Sequence, residues 1–209
     1  MRIIVVISIA AIALLVSCNG ARKPSRAHFA EAINQYLARH GQTCTLIGRQ
    51  FPVDLPRSEV NNPSGIGTKL AALERAGLVS WIDTTAVVHG MLDPLRGPSP
   101  PQPVRRFQLT AEGQKYFQQI PSSLGPTGAF CYGQKSVGSI VNWTEPETGA
   151  SSQAEVTYTY QIVNLANWAG RSDLQQAFPD VKAMLNGASR TNQTVGVELM
   201  NKGWEVPGS

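Results

Sequence analysis

Residues 155–164 read EVTYTYQIVN, and this alternating stretch decides the fold class of the second half of the chain. Every second residue from Val156 to Ile162 is apolar, so these side chains fall on one face of a strand and the polar ones on the other. Two further segments, 129–144 and 194–200, also have the composition of strands. Together these segments predict an antiparallel sheet with one face on a core.

A helix is expected between these strands, over residues 172–185, because apolar side chains recur there on one side of a helical turn. Pro179 is expected to break this helix in two. Residues 121–128 contain prolines and glycines and mark a boundary before the sheet. The segment 121–209 is therefore predicted to be an antiparallel sheet with one packed helix.

The first half contains a different pair of segments: residues 68–79 read TKLAALERAGLV and residues 106–113 read RFQLTAEG. Leu70 and Leu73 would pack a helix on a core, and Gly77 would permit the turn that ends it. The second segment reads as a strand that leads directly into a capped helix.

These two segments resemble the winged-helix family, in which a recognition helix leads into the first wing strand and the second wing strand leads into a helix capped by a residue such as Thr110. The resemblance covers residues 25–120 and implies a small α+β unit. Two features depart from the family pattern. The proline-containing stretch 51–65 stands where the family has a helix, and the wing tip at 89–103 is long.

The same resemblance implies DNA binding through the recognition helix, with Lys69 and Arg75 as contacts. The helix has few of the side chains that read base edges. The N-terminal residues 1–18 also resemble an export signal, which implies that the chain leaves the cytoplasm. We therefore expect no nucleic-acid partner, and the unit would serve as a protein-contact or structural module.

The N-terminus has a basic residue, Arg2, then an apolar run that ends in LVSC at 15–18. This layout resembles a bacterial lipoprotein signal, which implies that residues 1–17 are removed and that Cys18 is lipidated. Residues 18–24 would then be a tether, and Asn19 resembles an outer-membrane address. The alternative is an uncleaved transmembrane anchor, although the run is shorter than the roughly 20 apolar residues that a bilayer requires.

The remaining cysteines, Cys44 and Cys131, are expected to form a disulfide because an exported chain enters an oxidising compartment. Two separate buried thiols are the alternative. A redox-active pair is disfavoured by the absence of a Cys-x-x-Cys spacing. The disulfide would join the two halves of the chain.

Composition limits the possible partners and activities. The net charge is +4, or +3 once Arg2 is removed, and no long run of Lys or Arg is present. The three histidines (His28, His40 and His89) lack metal-ligand spacing.

No catalytic site is evident in the sequence either. Common hydrolase signatures are absent. Glu145 and Glu147 lie two residues apart near a turn, and we expect them to be solvated rather than catalytic. The sequence therefore predicts neither an enzyme nor a metal or cofactor site.

Aromatic residues are frequent in the second half of the chain. Tyr132 and Trp143 are the candidates for an exposed binding surface, because they lie beside glycines and a turn.

The sequence as a whole predicts an α+β protein with a winged-helix-like N-terminal part, a disulfide, and an antiparallel sheet with one helix. We expect it to be lipid-anchored, to face the periplasm from the outer membrane, and to bind another envelope protein. The alternative is a carrier or sensor of a small apolar ligand, held between the sheet and helix 172–185.

Overall fold

The computed structural model describes residues 22–63, 65–88, 100–121, 123, 125–146 and 152–208. The described elements are, in chain order, α1 (Arg26–His40), β1 (Gln42–Leu46), β2 (Val53–Pro56), α2 (Ile66–Arg75), β3 (Val79–Ala86), β4 (Gln102–Leu109), α3 (Ala111–Tyr116), β5 (Phe117–Ile120), β6 (Thr127–Trp143), β7 (Gln153–Val163), a 3-10 helix (Asn167–Gly170), α4 (Ser172–Ala177), α5 (Pro179–Gly187), β8 (Asn192–Met200) and β9 (Gly203–Glu205). Within these ranges, no helix combines the length and apolarity needed to cross a bilayer.

The larger sheet is antiparallel with strand order β1-β6-β7-β8-β9, and β5 also pairs with β6. The predicted α+β class and antiparallel sheet are confirmed. β6 is the central strand: Phe130 is opposite Thr45 of β1 on one side and Phe117 of β5 on the other. Further along, β6 pairs with β7. Strands from both sides of the predicted boundary at residue 121 therefore share one sheet.

Helix α1 packs on this sheet and also covers an edge of it. Ser25 caps the helix at its N-terminus by accepting a hydrogen bond from the His28 amide. Phe29 and Ile33 are fully buried against the sheet. Beyond the end of β1, this edge of β6 forms a hydrogen bond with α1 instead of with a strand. Asn34 Oδ1 of α1 accepts a hydrogen bond from the Val137 amide at 2.8 Å. Helix α1 thus satisfies an edge that would otherwise remain open.

A second core joins the larger sheet to α2, α4 and α5. The helix predicted at 172–185 is divided as expected, since α4 ends at Ala177 and Pro179 is the first residue of α5. Fully buried side chains from this region and from α2 contact one another, among them Leu70, Leu73, Phe130, Leu174, Phe178 and Val181.

The smaller sheet has three strands in the order β2-β4-β3. β3 and β4 form a ladder without a register shift, from Val79 opposite Leu109 to Ala86 opposite Gln102. β3 is thus an edge strand among the described residues. Thr110 caps α3 by accepting a hydrogen bond from the Gly113 amide at 2.9 Å.

Candidate interaction surface

Several of the residues singled out in the sequence lie outside the described residues. Cys18 belongs to the undescribed stretch 1–21, His89 to 89–99, and Glu147 to 147–151. Lipidation at Cys18 therefore stays a prediction.

The disulfide predicted between Cys44 and Cys131 is confirmed. The two residues lie directly opposite each other in the ladder between β1 and β6. The bond therefore fixes a first-half strand to the central strand of the larger sheet.

Tyr132 was expected to be exposed, and that expectation is wrong, because its side chain is only 2% exposed. Its ring packs edge-on against Trp168, with 5.9 Å between centroids. Burial is the main cause that raises the pKa of Tyr132 to about 12, with the nearby Asp180 carboxylate adding to it. Tyr132 ends the buried stretch of β6 from Gly128 to Tyr132 and belongs to the second core, together with Trp168 and Phe130.

Trp143, the other candidate, is half-buried at the opposite end of β6. Its ring lies 5.4 Å from that of Phe29, and the Arg26 guanidinium lies over it at 5.6 Å. Trp143 therefore helps to hold α1 on the sheet. Tyr132 and Trp143 belong to separate cores and do not form a shared surface.

The two cations that the winged-helix resemblance assigned to DNA make contacts within the chain. Lys69 Nζ lies 3.3 Å from the Leu46 carbonyl oxygen and 5.2 Å from the centre of the Phe178 ring. Arg75 forms an ion pair with Asp173 of α4 at 3.0 Å. Helix α2 therefore turns these side chains toward the rest of the protein.

Apolar side chains pack in the region proposed for an apolar ligand, between the larger sheet and α4 and α5. Leu174 and Phe178 are fully buried there and belong to the same core as Phe130. Two clefts of about 530 and 520 Å³ lie elsewhere and open to solvent. The first is bordered by Glu145, together with Glu155 and Glu198.

No group of three or more His, Cys, Asp or Glu side chains is arranged to hold a metal ion in the part of the chain that the structure describes. His28 Nδ1 lies 2.8 Å from the Lys23 carbonyl oxygen at the start of α1, and the His40 ring stacks on Tyr36 with 4.6 Å between centroids. Both histidines thus make local contacts of α1.

The outer edge of β3 is the surface that the sequence did not single out. Trp81 is 40% exposed and Ile82 54% exposed, although both are large and apolar. No described strand pairs with this edge. The strand is eight residues long and contains neither Pro nor Lys nor a bulge. Proline, lysine and bulges are among the devices by which sheet edges avoid pairing with another chain, and the one charged residue of β3, Asp83, is held in ion pairs.

Charged side chains border this edge. The guanidinium carbon of Arg105 lies 3.7 Å from the centre of the Trp81 ring. Asp83 Oδ2 is 2.7 Å from Arg57 Nη2, and its other oxygen is 3.5 Å from Arg105 Nε. Arg105 Nε makes no hydrogen bond within the described residues although it is buried. Two cations thus share one carboxylate beside an exposed tryptophan.

The sequence pattern of β3 did not reveal which side of the strand would be exposed. Trp81 and Ile82 are adjacent and therefore lie on opposite faces of β3, so alternation cannot assign both to a core. The available signal was the pair of large apolar neighbours itself, because a strand with one face on a core buries only every second residue.

Comparison of the chain with protein-family models, with curated proteins and with solved structures finds no match.

Proposed function

We propose that this chain is a lipid-anchored binding or accessory protein of the bacterial cell envelope, acting through protein–protein contacts at the outer edge of β3. The observation that carries this proposal is the exposure of Trp81 and Ile82 on a strand whose outer edge pairs with no described strand. An extended segment of a partner would add to the sheet through backbone hydrogen bonds, and its side chains would cover these two residues.

Burial of apolar surface favours this edge over the two clefts as the place where a partner binds. Burying apolar surface contributes about 25 cal/mol per Å², and a buried aromatic side chain is a frequent centre of binding energy in interfaces. Trp81 is already oriented, since the Arg105 guanidinium stacks on its ring. A partner would therefore gain apolar contact area at a small cost in side-chain entropy.

The anchor in this proposal is the lipid on Cys18. Its support is the order of residues at the N-terminus, with Arg2, the apolar run and LVSC at 15–18. The protein would face the periplasm, and Asn19 favours the outer membrane. Labelling with palmitate would test this, because Cys18→Ser would abolish incorporation if Cys18 carries the lipid.

The proposal also includes a winged-helix-like unit in the first half, used for protein contact instead of DNA binding. It is supported by the strand order β2-β4-β3, by the passage from α2 directly into β3, and by the capped helix that follows β4. In this unit, the face of α2 with Lys69 and Arg75 is occupied by contacts within the chain. The β3–β4 hairpin is the part left for a partner.

The test compares single substitutions of two apolar residues of similar exposure, Ile82 at 54% and Met200 at 47%. Ile82→Lys places a solvated charge on the β3 edge, and Met200→Lys does the same at the end of β8, where Met200 is 47% exposed. Tagged full-length chains are cross-linked in growing cells, and the adducts are compared by mass spectrometry. We expect Ile82→Lys to lose adducts that Met200→Lys retains. Identical adducts in both variants would contradict the proposed docking edge.

A further inference from the structure

We propose that the outer edge of β3 binds an extended segment of another protein in which acidic and apolar residues alternate, with the acidic side chains on the face of the sheet that carries Trp81. This inference rests on the proposed function, because it states the chemistry of the partner at the same edge. Two observations carry it: the direction of the backbone groups of β3 and the different charge balance on its two faces.

The hydrogen bond at the start of the β3–β4 ladder determines which backbone groups of β3 point outward. The Thr110 amide donates to the Leu78 carbonyl oxygen at 3.1 Å, and the register that follows does not shift. In an antiparallel ladder every second residue is bonded to the neighbouring strand, which here are the even-numbered residues of β3. The N–H and C=O groups of Trp81, Asp83 and Thr85 therefore point away from β4, where no described strand pairs with them.

Side chains alternate between the faces of the same strand. Trp81 and Asp83 lie on one face, here called the Trp81 face, and Ile82 lies on the other, the Ile82 face. A residue of an added strand that is directly opposite Trp81 shares its face. The added strand thus presents alternate side chains to two different environments.

On the Trp81 face, cations outnumber anions among the described residues. Arg57 and Arg105 share the carboxylate of Asp83, at 2.7 and 3.5 Å, and the Arg105 guanidinium also lies over the Trp81 ring. Part of each cation can be reached from solvent, since the Arg57 and Arg105 side chains are 60% and 27% exposed. Glu59, two residues after Arg57, borders the cleft beside β2. One positive charge therefore remains beside Trp81, and a carboxylate of the partner would compensate it.

On the Ile82 face, the charges are already balanced. Arg106 lies opposite Ile82 in the ladder and donates two hydrogen bonds of 2.7 Å to the Asp54 carboxylate. The neighbours of Ile82 on this face, Ser80 and Thr84, are uncharged. An apolar side chain of the partner would cover Ile82 here without leaving a charge unpaired, whereas a charged one would be buried without a counterion.

The size of the contact predicts its strength. One strand of eight residues offers less area than the roughly 1,200–2,000 Å² that stable interfaces bury, so the complex is transient. A charge pair between exposed groups changes affinity by about 1.5- to 5-fold. Because salt screens such pairs, the affinity for an acidic segment falls as the ionic strength rises.

Peptides of about ten residues test the chemistry of the partner. One alternates Glu and Val, the second alternates Lys and Val, and the third has the composition of the first with Glu and Val in two separate blocks. Each is dye-labelled and titrated with the purified full chain, and fluorescence anisotropy reports binding. We expect the alternating Glu peptide to bind most tightly, and less tightly at high salt. Equal affinity for the Lys peptide, or no binding of any peptide, would overturn the inference. Equal affinity for the block peptide would show recognition of charge alone and would overturn strand addition.

Arg57→Glu and Lys202→Glu test whether the excess cation is the one that is recognised. Both replace an exposed cation, and Lys202 lies in the turn between β8 and β9, away from the smaller sheet. Arg57→Glu should weaken binding of the alternating Glu peptide by at least about twofold, while Lys202→Glu should not. Asp83→Asn should strengthen it, since it increases the excess of positive charge. Equal affinities of the two glutamate variants would contradict the charge assignment.

Thr85→Pro tests the backbone pairing. The Thr85 N–H points outward, so proline removes a donor from the partner and no hydrogen bond to β4. We expect an unchanged urea unfolding midpoint and several-fold weaker peptide binding, whereas Thr85→Val, which keeps the N–H, should bind as the parent does. Weaker binding of Thr85→Pro without any effect of Arg57→Glu would overturn the acidic partner and support β3 as the docking edge. The cross-linking of Ile82→Lys in cells does not depend on the charge of the partner and decides the proposed function separately.

Discussion

Arg75 of α2 and Asp173 of α4 form a hydrogen-bonded ion pair, with Arg75 Nε 3.0 Å from Asp173 Oδ2. Asp173 also accepts hydrogen bonds from Arg171. These guanidinium groups, Arg171 first, hold the pKa of the Asp173 carboxyl well below its usual range. The Arg75 side chain is 50% exposed, however, and ion pairs in water contribute only about 0–1 kcal/mol. Apolar contacts must therefore supply most of the attachment of α2.

We accordingly expect Leu73→Ala to destabilise the protein by about 2–5 kcal/mol. The reason is that Leu73 is fully buried where α2 packs into the second core. Arg75→Ala should cost less than about 1 kcal/mol. Urea unfolding of the purified protein, followed by tryptophan fluorescence, measures both values. The ranking would be contradicted if the arginine substitution proved the more costly.

The disulfide should be a major source of stability. Cys44 and Cys131 are 87 residues apart, and closing a loop of that length stabilises a protein by about 4–5 kcal/mol in the chain-entropy model. The double variant Cys44→Ala with Cys131→Ala should lower the free energy of unfolding by about this amount. The parent protein measured with and without reductant is the control. A loss below about 1 kcal/mol would argue that the unfolded chain is already compact.

Local patterns predicted the elements that depend on neighbours in the sequence. The alternation from Val156 to Ile162 identified β7, and Pro179 located the break between α4 and α5. Thr110 was correctly expected to cap a helix. In each case the determining contacts lie within a few residues, so the sequence pattern contains them.

Long-range pairing could not be predicted in the same way. β1 is a short strand whose partner lies more than 80 residues later, and only the two cysteines indicated that pairing. The Tyr132 side chain packs on Trp168, a residue of the second core that lies 36 positions later in the chain, and this contact reverses the expectation for Tyr132. Exposure at β3 likewise depends on which strands pair with it. These features follow from topology and not from local composition.

Gly113 is required by the close packing of α3 against the turn before β3. A Cβ atom at this position would lie 1.8 Å from the carbonyl oxygen of Leu78, which also accepts a hydrogen bond from the Thr110 amide. Gly113→Ala should therefore cost about 1–3 kcal/mol, as overpacking does elsewhere. Gly170→Ala is the matched control, since no atom lies within 4 Å of its added Cβ. Equal unfolding midpoints for the two variants would refute this role.

Tyr132 should make stability depend on pH in the alkaline range. Burial raises the pKa of its phenol from 10.0 to about 12, so the folded state favours the neutral form. This contribution is complete below pH 10, the value for the unfolded chain, and is lost as the pH rises toward 12. Relative to Tyr132→Phe, the parent should therefore lose up to about 1.4 kcal/mol of stability per pH unit in that window. Urea unfolding of both proteins between pH 8 and pH 12 measures the difference, and parallel curves would show that the phenol ionises as readily in the folded protein as in the unfolded one.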